Sequence, residues 1–64
     1  MPHKFILGQA VGYTAPVGLN APAGLYVVIA KLPSRDGEFE YRIKHIEKGQ
    51  EFNARESELR WVRA

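Results

Sequence analysis

Residues 38–45, Glu-Phe-Glu-Tyr-Arg-Ile-Lys-His, alternate ring or aliphatic side chains with charged ones at every step. A period of two puts Phe39, Tyr41, Ile43 and His45 on one face of an extended strand and Glu38, Glu40, Arg42 and Lys44 on the other. One face must be covered and the other stays wet, which is how an antiparallel strand with a single buried side reads. Asp36-Gly37, just before it, supplies the positive φ of a tight hairpin turn. Gly49, just beyond it, supplies a left-handed position for the next turn. A chain built around such a unit is committed to a sheet.

The flanking segments point the same way. Residues 25–32 carry the strongest strand signal, with Tyr26, Val27, Val28 and Ile29 in succession. Their near-continuous apolarity predicts a central strand covered on both faces for much of its length. Residues 33–37 read as the hairpin turn between these two strands. After the turn at 46–49, residues 50–55 alternate again with Phe52 and Ala54 inward, 56–58 predict a single 3₁₀ turn, and 59–62 a short closing strand. Upstream, residues 5–14 read as an opening strand in which Gly8 and Gln9 turn the chain and Val11 and Tyr13 share a face. Residues 15–24 hold two Pro and two Gly and predict an irregular loop.

Six Gly and four Pro in 64 residues favour short strands over helices. With no repeat and no internal boundary, residues 1–64 are expected to form one domain with a thin core. Phe39, Tyr41, Ile43, Phe52, Ala54 and Leu59 are its expected builders. Closure hides strand edges, so the expected fold is all-β: a small five-stranded barrel with one 3₁₀ turn before the last strand.

The order of these elements resembles a Src-homology-3-like small barrel. The opening "FILGQAVGY" resembles the F-x-x-G-x-x-V start of Tudor-like and KOW-like barrels, and "EYRIKHIEKGQEFNARESEL" resembles their third and fourth strands. The chain is also similar to a family of short, uncharacterised bacterial proteins that share Y-x-V-V, L-P-x-x-D-G, Y-R-I-K and E-S-x-L. The resemblance implies a fold and no particular function, because small barrels host many. Peptide-binding Src-homology-3 domains carry an ALYDY-like motif, an acidic first loop and a paired Trp. Here residues 14–24 hold no acid and no Trp lies between the second and third strands, so recognition of Arg-flanked proline-rich peptides is not expected. An aromatic cage of the Tudor kind would draw on Tyr13, Tyr26, Phe39, Tyr41, Phe52 and Trp61, most of which the core needs.

Several chemistries are excluded or weakly signalled. The chain has no Cys, hence no disulfide, thiolate metal site or thiol nucleophile. The longest apolar run, residues 25–30, is far short of a membrane-spanning helix, and the first residues lack the apolar stretch of a secretory signal. A soluble, cytoplasmic protein is expected. Ser34 and Ser57 sit in turns outside any nucleophile motif. His45 reads as a strand-end side chain bonded to backbone. His3 could anchor a terminal copper chelate, but Pro2 removes one of the amides it needs. The pairs Glu38/Glu40 and Glu56/Glu58 read as solvated carboxylates. No enzyme activity, metal or cofactor is expected.

Two surfaces remain. Residues 1–30 contain a single charged side chain, Lys4. Within them, residues 14–24 form an apolar loop with Val17 and Leu19 near its middle. These either tuck back to cap a barrel end or form a contact patch. The leading expectation is a non-catalytic binding module for an unidentified protein partner, using Val17, Leu19, Tyr13 and Tyr26. The alternative is nucleic-acid binding through Arg42, Lys44, Arg60 and Trp61, with Arg55 and Arg63 adding charge. Glu38, Glu40, Glu51, Glu56 and Glu58 lie in the same segment and would blunt that potential. A structural subunit that works only as a homo-oligomer is the third reading.

Overall fold

In the computed structural model, which describes residues 4–62, Asp36 and Gly37 both take positive φ, 55° and 78°. That is the type I′ geometry whose twist matches the flanking strands. Arg35 therefore pairs directly with Glu38. The turn needs two residues, not the five at 33–37, and the preceding strand runs on through Pro33. The strands are β1 (Ala10–Tyr13), β2 (Leu25–Arg35), β3 (Glu38–His45), β4 (Glu51–Arg55) and β5 (Leu59–Trp61). The 3₁₀ turn occupies Glu56–Glu58, the residues expected for it. His3 and Arg63 lie outside the described residues.

All five strands are antiparallel and form one sheet in the order β4-β3-β2-β1-β5. β4 and β5 are its edges, so strand pairing does not close the sheet. Yet β4 runs into the 3₁₀ turn and the turn into β5 without a spare residue. Three 3₁₀ residues rise about 6 Å, whereas a flat five-stranded sheet measures roughly 19 Å from edge to edge. The sheet is therefore strongly curled. Two bulges in β2 help: the register shifts by one residue between Val28 and Ala30 and again between Leu32 and Arg35, and each extra residue adds bend and twist.

The concave face holds the core. Phe5, Val11, Tyr26, Val28, Tyr41, Ile43, Ala54 and Leu59 are buried, with Tyr13, Phe39 and Phe52 packed against them. The alternation in β3 is realised as expected, with Tyr41, Ile43 and His45 buried. Two expectations are corrected. β2 is central in pairing but covered on one face only, because the single sheet has no second layer outside it; Leu25 and Ile29 remain exposed. The opening strand is confined to Ala10–Tyr13. Ahead of it, Ile6 and Gln9 close a turn around Gly8, and Phe5 reaches the core from irregular backbone. The Tyr41 hydroxyl holds it there, accepting the N–H of Lys4 (2.9 Å) and of Phe5 (3.2 Å) and donating to Glu56 Oε2.

Candidate binding surfaces

The long loop, residues 14–24, has a fixed base and a free tip. Pro16 O accepts the Leu19 N–H (3.1 Å), closing a turn with Gly18 at φ 93°. That is the type II geometry that asks for Gly at its third position. Val17 stands at the apex, fully exposed, and Leu19 is exposed beside it. Neither tucks into the fold. The far end of the loop is pinned twice: Tyr26 donates its hydroxyl to Pro22 O (2.6 Å), and the His45 ring reaches Ala23 O (2.8 Å).

His45 is the one buried polar side chain at 1 % exposure among the described residues. A carbonyl only accepts, so Nε2 carries the proton that it donates to Ala23. Nδ1 then accepts the N–H groups of Glu47 (3.2 Å) and Lys48 (3.0 Å). The ring ties the loop to the β3–β4 turn, in keeping with the backbone-bonding role expected for it. Tyr26 packs edge-on against it at 4.9 Å, and Phe52 and Tyr13 extend the cluster. The Tyr13 hydroxyl is buried without a hydrogen-bond partner. Burial raises the pKa of Tyr13 above its ordinary value, with smaller contributions from Glu58 and Tyr26. Burial also raises that of Tyr26.

Above this node lies a shallow pocket of about 270 Å³ lined by Gly24, Leu25, Ile46 and Glu47. Leu25 and Ile46 are 45 % and 53 % exposed. Their backbones are joined by the Ile46 N–H to Leu25 O bond at 3.1 Å. Sequence reasoning did not find this pair. Its members lie far apart along the chain, and only the pairing of Tyr26 with His45 brings them together.

Of the four residues expected to meet a protein, Val17 and Leu19 are on the surface, Tyr13 is half-buried and Tyr26 is wholly buried. The four expected to meet nucleic acid are not gathered. Arg42 is engaged by Glu51 (3.1 Å) and Asn53 (2.8 Å) across β4, an ordinary cross-strand pairing. Lys44 is exposed beside it on β3. Arg60, on β5, lies across Gly12 and donates to Thr14 Oγ1. Trp61 points to the opposite face of β5, tilted against Phe5 at 5.3 Å, and is 60 % exposed.

The carboxylates do structural work. Glu38 accepts the Ser57 N–H (2.7 Å), Glu58 that of Arg55 (2.9 Å), and Glu56 that of Lys4 (2.9 Å). Hydrogen bonds from the Ser57 hydroxyl and N–H hold the Glu38 carboxyl below its ordinary value. For Tyr41, burial and then the bond to Glu56 raise the hydroxyl above its own. Among the described residues no three His, Asp or Glu side chains cluster as metal ligands, and no helix is long and apolar enough to cross a membrane. No family model, curated protein or solved structure matches the chain.

Proposed function

We propose that the chain is a partly open small barrel of the Src-homology-3-like type, acting as a non-catalytic module that binds a protein partner through its long first loop. The strand order, with β1 between β2 and β5, and the three-residue 3₁₀ link between the edges support that type of barrel. One observation carries the functional reading. Val17 and Leu19 project from a loop without charge, while Tyr26 and His45 fix the far end of that loop. An apolar tip on a fixed base loses little entropy when it docks. The nucleic-acid reading has less support, because Arg42 is already paired and Arg60 and Trp61 face opposite ways.

The test pairs wild type with Val17→Asp/Leu19→Asp in a cross-linking capture from the native host at low and high salt, with nuclease present. The expected result is a discrete protein cross-linked at residues 16–19, retained at high salt and lost from the double variant. The same capture by both proteins would overturn the reading. So would capture that salt or nuclease abolishes, since phosphate contacts weaken steeply with salt.

A further inference from the structure

The convex face of the sheet points to a second contact, separate from the loop tip and independent of whether the tip binds. Strand register fixes which side chains share this face. Val27 lies opposite Lys44 on β3 and opposite Ala10 on β1. Leu25 lies opposite Gly12, which in turn lies opposite Arg60. Directly opposed residues point the same way, and the other parity, Tyr26 with Val11 and His45, is buried. β2 thus lays an outward apolar stripe along the middle of the sheet: Leu25, Val27 and, at the bulge, the exposed Ile29. On its β1 side stand Ala10 and Gly12, and the Arg60 guanidinium covers the Gly12 position.

Cations flank the stripe on both sides. Glu51, which faces Lys44 across β4, turns to Arg42 instead, leaving Lys44 without an ion pair among the described residues. Arg60 likewise has no carboxylate partner among them; its guanidinium lies over Gly12, directly beside the stripe, and donates to Thr14 Oγ1. Lys44 on β3 and the Arg60 guanidinium over Gly12 on β1 thus stand two strands apart, roughly 10 Å. An α-helix with its side chains is about 10–12 Å across.

We propose that this face docks an amphipathic helix of a partner protein, its apolar side on Leu25, Val27 and Ile29 and carboxylates along its two flanks paired with Lys44 and Arg60. The fit rests on two features: apolar surface in a row rather than a patch, and a cation on each margin. Amphipathic helices dock by laying their apolar side along such a row.

The test titrates labelled protein with a designed amphipathic peptide of Leu on one face and Glu on both flanks. A twin peptide with Lys for each Glu and a DNA duplex serve as controls. The acidic peptide is expected to become helical and to shift the amides of Gly12, Leu25, Val27 and Lys44. Lys44→Glu/Arg60→Glu, whose amide spectrum reports folding, should weaken it by about tenfold or more and gain the Lys twin. Leu25→Asp, on the exposed end of the stripe, should weaken both. Equal binding of the two peptides, binding of neither, or shifts confined to residues 16–19 would overturn the proposal. Preferential shifts of the same amides by DNA would reassign the face to nucleic acid. A sedimenting dimer that protects Val27 would reassign it to a second copy.

Discussion

At the scale of single residues the fold depends on polar atoms held by distant partners. Glu38 bonds the 3₁₀ turn through Ser57, and three tyrosine hydroxyls lie in or beside the core. Their shifts set opposite ends of the stability profile. The Glu38 carboxyl sits below its ordinary 4.5 in the folded state. As pH falls past 4.5 the unfolded chain takes up a proton first, so the stability this group contributes is present above that value and is lost as pH drops through the folded one. The hydroxyls of Tyr13, Tyr26 and Tyr41 sit above their ordinary 10.0. The unfolded chain then ionises first as pH rises, and their contribution, complete below 10.0, is lost as pH climbs through the folded values. Denaturant midpoints measured across pH should therefore fall at both ends. Glu38→Gln should flatten the acid limb and leave the alkaline limb, where tyrosinate absorbance rises together with unfolding. An acid limb unchanged in Glu38→Gln would remove Glu38 from that role.

At the scale of elements, what could be read in the sequence was what local periodicity and turn chemistry dictate. The alternation from Phe39 to His45, the Asp36-Gly37 turn and the 3₁₀ turn at Glu56–Glu58 each follow from neighbouring residues. Long-range placement was not legible. Phe5 enters the core because Tyr41, 36 positions away, holds its N–H. The Leu25–Ile46 pocket exists because β2 and β3 pair in one register and not another. The apolar run in β2 gives no measure of how many layers cover it, so the exposure of its outer face is not legible in the sequence. Gly24 shows how tightly the loop end is fitted. Its φ is 121°, a region L side chains rarely adopt, and an added Cβ would lie 3.1 Å from His45 Nε2. Gly24→Ala should cost about 1–3 kcal/mol and speed hydrogen exchange at Glu47 and Lys48, whose N–H groups the same ring accepts. At Gly12 the φ is ordinary and the obstruction is the mobile end of Arg60, so Gly12→Ala should cost less than Gly24→Ala. Equal losses would mean that the Gly24 backbone relaxes freely.

At the scale of the whole molecule, the sheet joins one local half to one distant seam. β2, β3 and β4 follow each other through short turns. β1 and β5 pair Val11 with Trp61, residues fifty positions apart. Closing a long loop costs more entropy than closing a short one, and chains dominated by such pairings fold in milliseconds to seconds, not microseconds. The β2–β3–β4 meander should therefore form before the seam. Ile43→Val and Leu59→Val test this evenly, since each removes one buried methylene, worth about 1 kcal/mol. Ile43 lies in the middle of the meander and Leu59 opens the seam opposite Tyr13. In stopped-flow chevrons Ile43→Val should slow refolding, while Leu59→Val should leave refolding almost unchanged and speed unfolding. If Leu59→Val instead slows refolding in proportion to the stability it loses, the seam belongs to the nucleus, and the curl of the sheet is set before the hairpins mature.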